Sequence, residues 1–323
     1  MSRLIIIIFT MLLTTFNCSA FERVIIWGHP IHTHTHSYIH YAFYKTFKAM
    51  GYPTYWASKI EDLKDIDLNN SLFLTEGQVD EHMPKRQDCD YILHNVDFKT
   101  YQNKVDVNRT LTIQVFTTDV LTRTNLEEIE PYLFFGKKER ILYMPWATDL
   151  LPSEIDNNKA KLKRTKKRNY IGWIGTIAKG PHSNYNQIMD FVDEAIKCNP
   201  KYRFVNNKAQ VSMKTNLRQV MSAAMAPAIV GKWQQEKGYI PCRIFKNISY
   251  GAMGITNSYH VYKLFNENIV YDDNSRVLFN KANEALKSYT LEDQFALMDF
   301  VRDNHTYINR INTILECLRL IKE

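Results

Sequence analysis

Short apolar runs punctuate the chain, each closed by turn-forming residues. RVIIWG (residues 23–28) ends on a glycine, and PTYWAS (53–58), SLFLTEG (71–77), DYILHNV (90–96), LTIQVF (111–116) and RILYMPW (140–146) follow it. Runs so rich in Ile, Leu, Val and Phe read as strands covered on both faces. Between the first two, Tyr38, Tyr41, Ala42, Lys45, Phe47 and Met50 recur at helical spacing until Gly51 stops them, which predicts a βαβ opening. The polar segments between the later runs are mostly helix-compatible, and strands alternating with helices imply a parallel sheet.

The pattern restarts after KAKLKRTKKR (159–168). NYIGWIGT (169–176) reads as a strand, followed by a helix over 185–198, the strand YRFVNN (202–207) and an amphipathic helix over 215–225. The strand PAIVG (227–231), a helix over 242–250, the strand AMGITN (252–257), a helix around Lys263 and the strand NIVYDD (268–273) complete it, and 291–321 holds helical patterns without a strand. The expected fold is α/β: two Rossmann-like parallel-sheet domains facing a cleft, with a helical C-terminal segment. Boundaries are expected at 1–20 (leader), 21–150 (first domain), 151–168 (basic linker), 169–290 (second domain) and 291–323 (helices packing across both).

Composition changes this picture little. With 45% hydrophobic and 13% aromatic residues and no repeat, the chain is neither disordered nor a solenoid. The net charge of +7 is modest and concentrated at 159–168, which reads as a solvated linker or a peripheral membrane contact. No aromatic or Gly-rich RNA motif accompanies it, so no nucleic-acid partner is expected. Residues 1–20 carry Arg3, an apolar run over 4–16 and the small-residue ending Cys18-Ser19-Ala20, the layout of a signal peptide or short signal anchor. That places the body in the secretory-pathway lumen or the bacterial periplasm or envelope. Cys89, Cys198, Cys242 and Cys317 form no C-x-x-C pair, which argues against a structural zinc module and permits disulfides.

Ligands of open α/β sheets bind at the carboxyl ends of the strands. In the second half, GYIPCRIFKNISYGAMGITNS (238–258) places Pro241 at a helix start, Arg243 and Lys246 in its first turns and Gly251 at its end. A helix N-terminus with two added cations suits a diphosphate. Gly175 and Thr176 end an upstream strand, while Lys232 and Trp233 follow PAIVG and Asn257 follows AMGIT. In the first half, the strand-end candidates for a catalytic base are His32, His34, His36, Glu76 and Asp119, with His94 a further strand-end residue. HPIHTHTHSYIH (29–40) is also open to a metal reading. His36 and His40 are four apart and His32 or His34 offers a third ligand, but the cluster holds no Asp or Glu.

The 238–258 segment resembles the donor-binding segment of GT-B glycosyltransferases, in particular the group 1 and CgeB-like pattern Pro-x-Arg-aliphatic-Phe-Glu-Ala ahead of a glycine and an apolar strand. NYIGWIGT is similar to the turn that opens the donor domain, and LYMPWATDLLP (142–152) to the strand, proline and aspartate that close the acceptor domain, with Asp149 as the aspartate. The resemblance implies a nucleotide-sugar donor in the second domain and a hydroxyl acceptor on a glycan, glycoprotein or glycolipid, in glycan biosynthesis. It implies transfer without a required divalent metal or other cofactor. Arg243 would face the diphosphate, and Gly175, Thr176 and Gly251 would permit close approach of the donor. Lys232 and Trp233 would lie at the base, and Asn257 at the donor. Lys246 stands where relatives carry a glutamate that holds the ribose or sugar. The alternative is a non-catalytic two-lobed secreted binding protein, metal-binding through the 29–40 histidines.

Overall fold

The computed structural model describes residues 21–323 except 32, 97, 98, 100, 181, 182 and 208–210. The expected leader (1–20) and the candidate His32 therefore lie outside the described residues.

The first sheet is built from β1 (Arg23–Trp27), β2 (Thr54–Ala57), β3 (Ser71–Glu76), β4 (Asp90–His94), β5 (Thr110–Val115), β6 (Glu127–Glu130), β7 (Leu133–Gly136) and β8 (Ile141–Met144). Their order is β2-β1-β3-β4-β5-β8-β7-β6. β1 through β5 and β8 pair in parallel, and β6 and β7 add an antiparallel edge. Three of the four exposed positions of β6 are glutamates, Glu127, Glu128 and Glu130, and their charge blunts that edge against further pairing.

The alternation expected from sequence fails between β2 and β8. Among the described residues these connections hold no α-helix, only 3₁₀ turns and the β6–β7 hairpin. Their sequences explain this, because DIDLNN (65–70) and GQVDEHMPKRQD (77–88) carry Asp, Asn, Gly and Pro, which satisfy local backbone groups in turns. One sheet face is consequently covered by loop residues, with Leu63, Met83, Tyr101 and Val105 packed on Ile25, Phe73 and Leu93. The other is covered by α1 (Thr35–Ala49) and the C-terminal α10 (Tyr307–Lys322). Tyr307, Ile311, Ile314, Leu318 and Ile321 recur at helical spacing and are buried on this face. Each such apolar side chain contributes about 1.5–3 kcal/mol. Arg310, 1% exposed, fastens the same helix by donating from Nε to the carbonyl of Pro145 at 2.9 Å.

Within the expected basic linker (151–168), residues 152–162 are helical: α2 spans Pro152–Leu162, and Lys159 is paired with Asp299 and Asp156. The second sheet holds β9 (Arg168–Ile174), β10 (Arg203–Asn207) and β11 (Ala223–Met225) in the parallel order β10-β9-β11. β12 (Ile255–Thr256) and β13 (Val270–Tyr271) continue it through an Ala228–Thr256 bridge. The strand expected at 227–231 is reduced to that bridge, and the preceding helix α4 (Met213–Ser222) stops where β11 begins.

α3 (Tyr185–Cys198) and α8 (Ser275–Ala285) cover one face together. α5 (Lys232–Glu236), α6 (Cys242–Ser249), α7 (Tyr259–Leu264) and α9 (Leu291–Asn304) complete the second half, with α9 packed on α6 and α2. The four described cysteines are free. Among the described residues, no helix is long and apolar enough to cross a membrane.

Both sheets begin with the same order, the first strand flanked by the second and third, so each has a switch point where connections leave in opposite directions. In such sheets the crevice at the carboxyl ends of those strands is the ligand site.

Candidate active site

At the first switch point, register and helix spacing build a cluster. Glu76 ends β3 directly beside His94 at the end of β4, and paired residues of parallel strands share a face. Above them, His36 and His40 stand one turn apart on α1. Glu76 is fully buried. Its Oε1 lies 2.9 Å from His36 Nδ1, its Oε2 lies 3.2 Å from His29 Nε2, and His40 Nε2 meets His94 Nδ1 at 3.0 Å.

Burial alone would raise the Glu76 carboxyl, but the hydrogen bond to His36 and the surrounding imidazoles outweigh it and leave it below its ordinary value. Burial, reinforced by His36, pushes His94 down to about 3, and burial with the neighbouring histidines holds His40 well below the usual range. Both are therefore neutral at physiological pH. His36 is 24% exposed, and with Nδ1 on Glu76 its Nε2 is the nitrogen left for a ligand.

His34 is the N-cap of α1, its Nδ1 accepting from the His36 amide, and its ring packs tilted against His29 with centroids 4.2 Å apart. Asp119 sits apart from this cluster, exposed and 3.1 Å from Lys237, in a contact joining the two halves. Among the described residues, no three His, Cys, Asp or Glu side chains are grouped to hold a metal ion.

At the second switch point, β9 ends at Ile174 and Gly175 follows with φ +108°, a conformation suited to glycine. Arg243, in the first turn of α6, lies with its guanidinium 3.9 Å from the centre of the Trp173 ring and donates from Nε to the Ile174 carbonyl at 2.7 Å. A methyl on Gly175 would stand 2.7 Å from Arg243 Nη2, so the missing side chain makes room for the guanidinium. One edge of Arg243 is thus fixed to the protein while its terminal nitrogens remain for a ligand beside the unpaired amides of the α6 start. Cys242, next in that turn, packs against the core of the first sheet, which puts the α6 N-terminus at the boundary between the halves.

Of the remaining donor-side residues, Thr176 adjoins this point, and Lys246, Gly251 and Asn257 are engaged in other contacts. Lys246 is 3.1 Å from Asp149, whose two oxygens also accept from Tyr250 at 2.8 and 2.9 Å. Burial by itself would lower the Lys246 ammonium, but Asp149 reverses the direction and holds it above its ordinary value. Gly251 lies at the opposite end of α6 with φ +94°, and the close neighbour its hydrogen allows is Leu162. The Asn257 side chain clamps the Val230 backbone, accepting from its amide at 2.8 Å and donating to its carbonyl at 2.9 Å.

Thr176 is exposed just past Gly175, and Lys232 and Trp233 begin α5. Lys232 and Asn257 line a neighbouring cavity of ≈ 570 Å³ with Gln235, Tyr259, Asn274 and Arg276. Residue patterning alone could not show that Trp173 would underlie Arg243, or that His40 and His94 would pair, because both depend on contacts between distant segments.

No family model and no curated protein matches the sequence. Solved structures do. An α-glucosyltransferase in complex with UDP and a 13-mer DNA containing a HMU base superposes with a TM-score of 0.55 and 9% identity over 92% of this chain and 98% of that one. An α-glucosyltransferase in complex with UDP gives 0.52 and 10% over 90% and 99%. An α-glucosyltransferase with UDP and a 13-mer DNA containing a central A:G mismatch gives 0.54 and 8% over 90% and 99%. At such identities the likeness is one of architecture, and that architecture, two parallel α/β sheets each presenting a switch point, is the GT-B fold.

Proposed function

We propose that this protein is a glycosyltransferase that moves a sugar from a nucleoside-diphosphate sugar, UDP-linked in the first instance, to a hydroxyl of a glycan, glycoprotein or glycolipid. The arrangement of Arg243 is the observation that carries the reading. A cation at a helix N-terminus, held by Trp173 and the Ile174 carbonyl and given space by Gly175, meets the charge of a diphosphate. The fold likeness to α-glucosyltransferases solved with UDP supports it over nearly the whole of both chains.

In the reaction, the acceptor oxygen forms a bond to the anomeric carbon as the bond from that carbon to the diphosphate oxygen breaks. His36 Nε2 takes the hydroxyl proton. Glu76 holds the ring through Nδ1 and stabilises the imidazolium that forms. Arg243 and the α6 amides take up the negative charge of the departing diphosphate.

Calorimetry against a panel of nucleoside diphosphates tests the reading. Binding of at least one, weakened about tenfold to a hundredfold by Arg243→Ala, is expected for a lost charge-assisted pair. Absence of binding by the wild type would sink it.

A further inference from the structure

One face of the second sheet is charged unlike the rest of the molecule. The chain has no Asp or Glu over 157–189 or over 195–235, and these stretches hold Arg164, Lys166, Arg168, Arg203, Lys214 and Arg218. The topology gathers four of them, Arg168, Arg203, Lys214 and Arg218. Tyr170 points toward α4, donating from its hydroxyl to the Gln219 carbonyl at 2.6 Å. Strand alternation puts Arg168 on that same side, and Arg203, paired in register with Tyr170, joins it. Lys214 and Arg218 stand one turn apart on the exposed side of α4. The opposite face, where Ile171, Trp173 and Phe204 meet α3, is different: there Arg276 is paired with Asp190 and Lys197 with Glu194. Among the described residues, none of the six cations is in an ion pair.

We propose that this face docks on an anionic phospholipid surface. Like charges gathered without counter-charges repel one another, and a layer of anionic headgroups relieves that repulsion. None of the exposed large apolar or aromatic side chains lies on it, so it offers neither a stacking platform for nucleic-acid bases nor a wedge for the acyl layer. The apolar run over 4–16 is the kind of segment that brings a chain to a bilayer. Arg168 starts β9 and Gly175 follows its end, so at about 3.3 Å per residue the Arg168 edge of this face is roughly 23 Å from the Arg243 site.

Flotation of the full chain with phosphatidylcholine vesicles, with and without phosphatidylglycerol, tests the proposal. The leader contributes to both vesicle types, so the difference between them isolates the face. Stronger partition onto the anionic vesicles is expected, suppressed by high salt. At about fivefold per cation, the Arg168→Gln, Arg203→Gln, Arg218→Gln triple variant loses roughly a hundredfold. The Lys214→Gln, Arg218→Gln double variant, which leaves the strands untouched, loses about twenty-five-fold.

Equal partition onto the two vesicle types, retention of anionic binding by both variants, or binding to RNA without binding to vesicles would each overturn the proposal. UDP affinity measured on the same samples is expected to be unchanged in the variants. Its absence in the wild type would count against glycosyl transfer and not against the docking face.

Discussion

Lys246 stands where the donor-segment resemblance expects a glutamate, and restoring that glutamate is predicted to break the molecule rather than improve donor binding. Lys246 Nζ and Asp149 Oδ2 are 3.1 Å apart, with side chains 19% and 5% exposed, and Tyr250 donates to both Asp149 oxygens. At that separation and an effective dielectric constant near 20 the Coulomb attraction is about 5 kcal/mol before desolvation is subtracted. A glutamate turns the attraction into repulsion, and one carboxyl would have to take up a proton instead.

Removing one partner of a buried pair costs about 3–5 kcal/mol, and Lys246→Glu and Lys246→Met are each expected to lose that much. Lys246→Met combined with Asp149→Asn should recover most of the loss, because no buried charge is left and the amide still accepts from Tyr250. Urea unfolding followed by tryptophan fluorescence reads the midpoint of the transition that involves α6. A Lys246→Glu midpoint equal to that of the wild type, or a double variant no better than the single, would refute the reasoning. The double variant should also bind UDP within a few-fold of the wild type; a large loss would put Lys246 on the donor.

The buried histidines predict acid sensitivity with a definite sign. Unfolded histidines take up a proton near 6.5, while native His94 holds off protonation to about 3, so stability is full above 6.5 and falls by about 1.4 kcal/mol per pH unit between those values. Unfolding free energies from urea titrations at pH 7 and pH 5 should differ by roughly 2 kcal/mol from His94 alone, and His94→Asn should flatten that dependence although it is less stable overall. Glu76→Gln keeps a hydrogen-bonding group beside His36 but removes the charge; the turnover number should fall by about a hundredfold to ten-thousandfold with the donor KM unchanged, and an unchanged rate would remove the pair from the chemistry. Gly175→Ala places a methyl 2.7 Å from Arg243 Nη2 in a left-handed backbone, so calorimetry should show UDP affinity falling by about tenfold as the guanidinium is displaced.

The central strands were legible because parallel strands buried on both faces are continuously apolar, and RVIIWG, SLFLTEG, DYILHNV and NYIGWIGT each coincide with one. The connectors were not, because helix-compatible polarity does not outweigh Asp-, Asn- and Pro-rich turn chemistry when no apolar stripe demands a helix. Within the site, Glu76 and His36 could be named from their places at a strand end and a helix start. What remained hidden was pairing at a distance. Lys246 reads as a free cation until the fold sets Asp149 against it, and Gly251 reads as a donor-side glycine until Leu162 is found beside it.

The two strand-end clusters divide their charge in a way that suits the proposed reaction. The departing diphosphate needs a cation that cannot lose its proton, and Arg243 meets that need even where burial lowers its affinity for the proton. The acceptor side needs the reverse, a base that begins neutral and ends charged. Four histidines crowded around one carboxylate could have defeated this, since each charged neighbour would oppose proton uptake by His36. Burial resolves the conflict by holding His40 and His94 neutral, so the negative charge of Glu76 is opposed by no fixed cation from that pair when His36 takes its proton. The buried histidines thus act on the chemistry by staying uncharged, and any substitution that lets His94 ionise, such as one admitting water beside Trp146, should slow transfer without touching either substrate.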